Sequence, residues 1–167
     1  MNKFQTLRYI SYGLELLLAL ILQNTPFLLP EVFGGRPVLL VAVALTVAMF
    51  EPSCTAAMWV GVAAGLLADY GYSGAIGFFA LMLAVLCYFS NIIMNDYIKT
   101  NLLTAMLVSA VCIILIFGLH FLFFYVLFGY TDTGYFFVNH YLSRMIYTAA
   151  FVPVFFALNR FLTSKLT

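Results

Sequence analysis

The chain has 167 residues, 65% of them hydrophobic and only 8% charged, with a mean hydropathy of +1.09 and a formal net charge of +1. Soluble domains carry about 25% charged residues, so this composition excludes an ordinary water-soluble fold and describes a polytopic, all-α membrane protein, a single integral domain over residues 1–167. So balanced a charge leaves no basic tract for nucleic acid, and the segments outside the apolar runs are too short for a further soluble domain.

In chain order, the first helix is expected from about Tyr9 to Leu29, entered past Lys3 and Arg8 and carrying Glu15 inside it. No Ala-x-Ala-like site follows it, so it is expected to stay in the membrane rather than be cleaved as a signal peptide. Gln23, Asn24, Thr25 and Pro26 mark its polar end. The second run, Val38 to Phe50, follows Arg36-Pro37 and would extend only about 20 Å, short of a hydrocarbon core of roughly 30 Å. Either it extends through Gly34 and Glu51, or it sits among other helices that cover the deficit. Glu51-Pro52-Ser53 turns the chain into a third helix ending near Tyr70, with Ser53 as a candidate N-cap. Gly71 to Gly74 is turn chemistry. The fourth helix is expected over about 76–95, the fifth over 102–128 and the sixth over 135–162, bent or opened near Pro153.

Six crossings place both termini on one side. With that side cytoplasmic, Lys3, Arg8, Lys99, Arg160 and Lys165 lie inside and Arg36 alone outside, which obeys the positive-inside rule. Tyr70, Tyr72, Tyr125, Phe128, Tyr130, Tyr135 and Phe136 then crowd the outer ends as an interfacial aromatic belt.

Ionisable residues inside apolar runs are costly and therefore informative, at least about 2.5 kcal/mol each on the insertion scale. Glu15, Asp69 and Arg144 qualify. Asp69 near the outer end of the third helix and Arg144 on the sixth fall at similar depth. They are expected either to pair, docking the hairpin against the sixth helix, or to reach headgroups or water separately. Glu15 has no partner in its own helix; it is expected to snorkel or to hydrogen-bond to Tyr or Ser on a neighbour, since the sequence supplies no chain of acids or histidines for a proton relay. Gly61 and Gly65, four apart, let two helix backbones approach closely, either within the monomer or against a partner. Pro37, Pro52, Gly74 and Gly77 belong to the same packing or interface set.

Nucleophile-elbow, H-E-x-x-H, P-loop and GxGxxG patterns are absent, and the local pair His140 and Ser143 has no acid beside it, so no catalytic set, metal site or cofactor is expected. His120 and His140 read as interfacial or hydrogen-bonded residues without metal-ligand spacing. Cys54, Cys87 and Cys112 lie in separate helices and read as small buried hydrophobes.

The stretch GVAAGLLADYGYSGAIGFFAL, Gly61 to Leu81, resembles the Gly-Leu-Leu-x-Asp box, glycine turn and Gly-x-x-Ala-Leu pattern of the rod shape-determining protein MreD family. Arg36-Pro37, Gln23 and Pro26 fit it as well. Val38 and Phe79 depart from it, since polar residues are common there in the family. The resemblance implies a multi-pass protein of the bacterial cytoplasmic membrane. It further implies a non-catalytic scaffold of the elongation machinery for lateral peptidoglycan synthesis, with the bitopic protein MreC as partner. The MreB filament, the glycosyltransferase RodA with its penicillin-binding transpeptidase, and membrane lipid are further expected partners.

The alternative is a solute-binding membrane subunit of an energy-coupling-factor-type transporter, a compact six-helix bundle similar in arrangement to the MreD family. Asp69, Arg144 and the outer aromatics would then line a pocket for a vitamin.

Overall fold

A helix that is apolar all round is either enclosed by other helices or spans a membrane, and at 12 residues LLVAVALTVAMF, helix α2 (Leu39–Phe50), is too short to span alone and is enclosed. In the computed structural model, which describes residues 3–25, 30–31, 35–72, 77–97, 100–127 and 133–166, every α2 residue from Leu39 to Met49 is buried. Around it stand α1 (Lys3–Asn24), α3 (Cys54–Tyr72), α4 (Phe78–Ile92, continued by the π-helical turn Ile93–Tyr97) and α5 (Leu102–Phe121, continued by π-helical Leu122–Val126). The last is α6, which runs as Thr133–Phe136, π-helical Phe137–Leu142 and Ser143–Leu166. All five contact α2. No strand occurs among the described residues.

Of the two expectations for the short second helix, the enclosed one holds: α2 does not lengthen, because Pro52 forces Glu51 into extended backbone (φ −78°, ψ 128°) at its end. Neighbouring side chains replace the lipid it would otherwise have to match. Pro153 lies inside α6, and the irregular backbone of that helix falls earlier, in Phe137–Leu142.

Phe78–Tyr97, Leu102–Val126 and His140–Lys165 are each long and apolar enough to cross a membrane, whereas Leu39–Phe50 and Cys54–Tyr70 are shorter apolar helices. The outward faces carry large apolar side chains, such as Leu103, Leu107, Val111 and Ile114 on α5 and Ile10, Leu14, Leu17 and Ile21 on α1. Continuous apolar surface of this extent belongs against lipid or another apolar helix.

The most extensive packing is between α3 and α4, and the two glycines explain it. A methyl group added at Gly61 would lie 2.5 Å from the Leu83 carbonyl oxygen, and one at Gly65 would collide with the backbone of Ala80. Of the alternatives for this pair, the structure shows contact within the monomer. Gly77 has a different job: its φ of +108° is a left-handed conformation that side chains rarely adopt, and nothing lies within 4 Å of an added methyl. It is a turn residue rather than a packing residue. Pro37 is buried, Pro52 is exposed at the turn after α2, and Gly74 lies outside the described residues.

Candidate functional site around the central helix

Burying α2 leaves its terminal N–H and C=O groups without water, so each end needs side-chain partners. At its start, the Val38 N–H donates to Thr148 Oγ1 of α6 (3.1 Å) and the Leu40 N–H to Gln23 Oε1 of α1 (3.4 Å). At its end, Asn91 Nδ2 of α4 donates to the carbonyls of Ala48 (2.7 Å) and Glu51 (2.5 Å), and Asn95 Nδ2 also donates to Glu51 (2.9 Å). Thr46, mid-helix, turns its hydroxyl back to the carbonyls of Ala42 and Val43. Amide and hydroxyl side chains inside apolar helices thus act as the polar glue of the bundle.

One face of α1 supplies the charged part of this belt. Arg8, Tyr12, Glu15, Ala19 and Gln23 recur three or four residues apart, which places them on one side of a helix; Tyr12, Glu15, Ala19 and Gln23 are buried. Arg8 Nη2 pairs with Glu51 Oε1 at 3.1 Å, with the Glu51 side chain wholly buried and that of Arg8 23% exposed. Glu15 Oε1 accepts from Asn159 Nδ2 of α6 at 2.9 Å, and the same amide lies 3.4 Å from Thr46 Oγ1 and 3.1 Å from the Phe155 carbonyl. Glu15 therefore has a hydrogen-bonding neighbour across the bundle, an asparagine in place of the expected tyrosine or serine.

Asp69 corrects the expectation of an ion pair with Arg144. Its Oδ2 accepts from the backbone N–H groups of Gly77 (2.8 Å) and Ala80 (3.2 Å), and its Oδ1 from that of Phe79 (3.1 Å). Asp69 is 2% exposed. A carboxylate at the start of α4 compensates the helix dipole and satisfies three amide donors at once. Ion pairs between described residues include Arg8 with Glu51 and the exposed Arg36 with Glu31. The Arg144 guanidinium lies over the Tyr141 ring, 6.0 Å from its centroid. Buried Gly35 backs onto this turn of α6: a methyl there would sit 3.1 Å from the Arg144 backbone nitrogen and 3.2 Å from the His140 carbonyl oxygen.

His120 lies among aromatic rings. Its Nδ1 is 2.8 Å from the Tyr141 hydroxyl, and its ring centroid is 5.3 Å from those of Phe78 and Phe79 and 4.6 Å from that of Phe124. Phe121 continues the cluster to Tyr125, Phe137 and Tyr141, so α4, α5 and α6 are locked together here. Beside it an open groove of about 390 Å³ is lined by Gly77, Phe78, Leu81, Met82, Phe123 and Phe124, all apolar. No group of three or more His, Cys, Asp or Glu side chains is gathered for a metal among the described residues. Cys87 Sγ lies 3.5 Å from the Ala44 carbonyl and Cys112 Sγ 3.4 Å from Ser90 Oγ, contacts of packed thiols.

Sequence reasoning missed Glu51, which it treated as part of a turn, and the uncharged partners Asn91, Asn95, Thr148 and Asn159. The available signal was an asparagine or threonine inside an otherwise apolar run, which carries the same satisfaction requirement as a charge at lower cost.

Neither a curated protein nor a solved structure matches the chain. A family model does, that of the rod shape-determining protein MreD, over residues 4–162. That match reaches into each of the helices α1 to α6 and includes the α1 polar face, the Asp69 cap and Asn159 on α6. The chain is a membrane protein that belongs to the MreD family, whose role is rod shape determination.

Proposed function

We propose that the chain is a non-catalytic scaffold of the bacterial cell-elongation complex, held in the cytoplasmic membrane with both termini inside. Its proposed partner is MreC, with MreB, RodA and its penicillin-binding transpeptidase, and membrane lipid, as further contacts. The observation that carries this reading is the family match across residues 4–162. The buried polar groups support it, because Asp69, Asn91, Asn95, Gln23 and Thr148 serve helix termini.

Since Gly61 and Gly65 are filled by α4, partner contact belongs on outward faces. On α3, Thr55, Trp59, Ala63, Leu66 and Tyr70 form such a face, with Trp59 63% and Tyr70 92% exposed. The solute-binding alternative loses its polar pair, because Asp69 is bonded to backbone and the groove beside Phe78 has an apolar lining.

The test is photocrosslinking in rod-shaped cells from probes at Trp59, Leu66 and buried Gly65. Crosslinks to MreC from the α3 face, absent at Gly65, together with rounding of cells that lack the gene, are the expected results. Normal rods after gene loss, or a vitamin retained stoichiometrically by the purified protein, overturn the scaffold reading.

A further inference from the structure

Glu15 and Asn159 form half of a pair. Glu15 Oε1 accepts from Asn159 Nδ2 at 2.9 Å, yet Glu15 Oε2 and Asn159 Oδ1, both buried, have no hydrogen-bond partner. Glu15 is 4% exposed and Asn159 wholly buried. Both unsatisfied atoms are acceptors, so the missing component is a donor or a cation. Turning the Asn159 amide over does not help, since that sets its oxygen against Glu15 Oε1.

The charge balance points the same way. On α1, Arg8 is engaged by Glu51 of the α2 end at 3.1 Å, leaving the Tyr12 phenol as the other titratable group on that face. From α2 comes Glu51; from this end of α3, only Cys54, with Asp69 at the far end of that helix. From α6 come Arg160 and Lys165, both exposed. Arg8 balances Glu51, and no cation among the described residues balances Glu15. An isolated carboxylate inside a membrane bundle is not tolerated as such.

We propose that the Glu15, Asn159 and Thr46 cluster between α1, α2 and α6 is a binding site for one positive charge, taken up as a proton on Glu15 or as a small monovalent cation. As a proton, it turns Glu15 into an acid whose O–H donates to Asn159 Oδ1 while Oε1 keeps the Asn159 N–H. One proton thereby satisfies both unpartnered oxygens in a cyclic acid–amide pair. As a cation, it is ligated by Glu15 Oε2, Asn159 Oδ1 and the Thr46 hydroxyl oxygen, whose hydrogen already points to backbone carbonyls. Either way the charge ties the first helix to the last across the central one, a role beyond the scaffold reading and independent of it.

The experiment measures thermal unfolding of the purified full chain in detergent, in sodium chloride against choline chloride and from about pH 6 to about pH 9, beside an infrared spectrum of the carboxyl C=O stretch. A folded state that holds the proton more tightly than the unfolded one loses stability as pH rises, so the proton form predicts a Tm that falls by roughly 5 °C across that range. It also predicts a protonated-carboxyl band. The cation form predicts a Tm raised by sodium but not by choline. Glu15→Gln, whose amide N–H stands where the proton would be, removes the dependence in either case and removes the band. A wild type with neither dependence and no protonated-carboxyl band overturns the proposal, and these wild-type measurements decide it even if Glu15→Gln does not fold.

Discussion

Arg8 on α1 holds the Glu51 carboxylate at the foot of α2 at 3.1 Å, and of the two side chains only Arg8 reaches the surface. Removing it strands a buried charge in a turn clamped by Asn91 and Asn95. Arg8→Leu is expected to destabilise the bundle by about 3 kcal/mol, measured by denaturant unfolding in detergent. The double variant Arg8→Leu/Glu51→Leu should lose clearly less than the sum of the two singles. Additive losses would show that the pair is not coupled.

Asp69 is a cap, so its replacement should behave as the loss of a cap and not as the loss of an ion pair. Asp69→Ala leaves the amide groups of Gly77, Phe79 and Ala80 without their acceptor and should cost about 2 kcal/mol. Asp69→Asn, which keeps one acceptor oxygen, should cost less. Exchanging the charges of Asp69 and Arg144 should not rescue either single swap, as read by membrane insertion and unfolding.

Gly65 sits where a methyl would collide with the Ala80 backbone, and Gly13 where nothing lies within 4 Å. Gly65→Ala should therefore push α3 from α4 and cost about 2 kcal/mol. Gly13→Ala, in mid-helix, should be neutral or stabilising by up to about 1 kcal/mol. Equal Tm values for the two variants would contradict the packing described.

Asn91 serves two carbonyls at the end of α2. Asn91→Leu keeps the branched shape but leaves the Ala48 carbonyl unpartnered, a loss of about 2 kcal/mol. Asn95→Leu should cost less, because Glu51 keeps its bond to Asn91. Hydrogen exchange at the α2 end should accelerate in the first variant and change little in the second.

The helices themselves were legible in the chain. Runs of apolar residues broken by Pro52, by the glycines after Asp69 and by polar links place each helix within a few residues of where it forms, except that α1 begins at Lys3 rather than near Tyr9. The Gly-Leu-Leu-x-Asp box, likewise local, carried the family resemblance. Gly61 and Gly65 could be recognised as points of close approach, but not assigned a neighbour, since small residues four apart suit any facing helix.

The sequence by itself determined that this is an all-helical membrane protein with a second helix too short to cross a bilayer unaided, because composition and run length act locally along the chain. Only the tertiary structure decided that this helix is the hub, that Asp69 caps α4 instead of meeting Arg144, and that Glu15 finds Asn159. The physical reason is that a buried polar atom must be satisfied by whatever the packed bundle brings within hydrogen-bonding reach. Along the chain Glu15 and Asn159 are 144 residues apart, and no local pattern encodes that they touch.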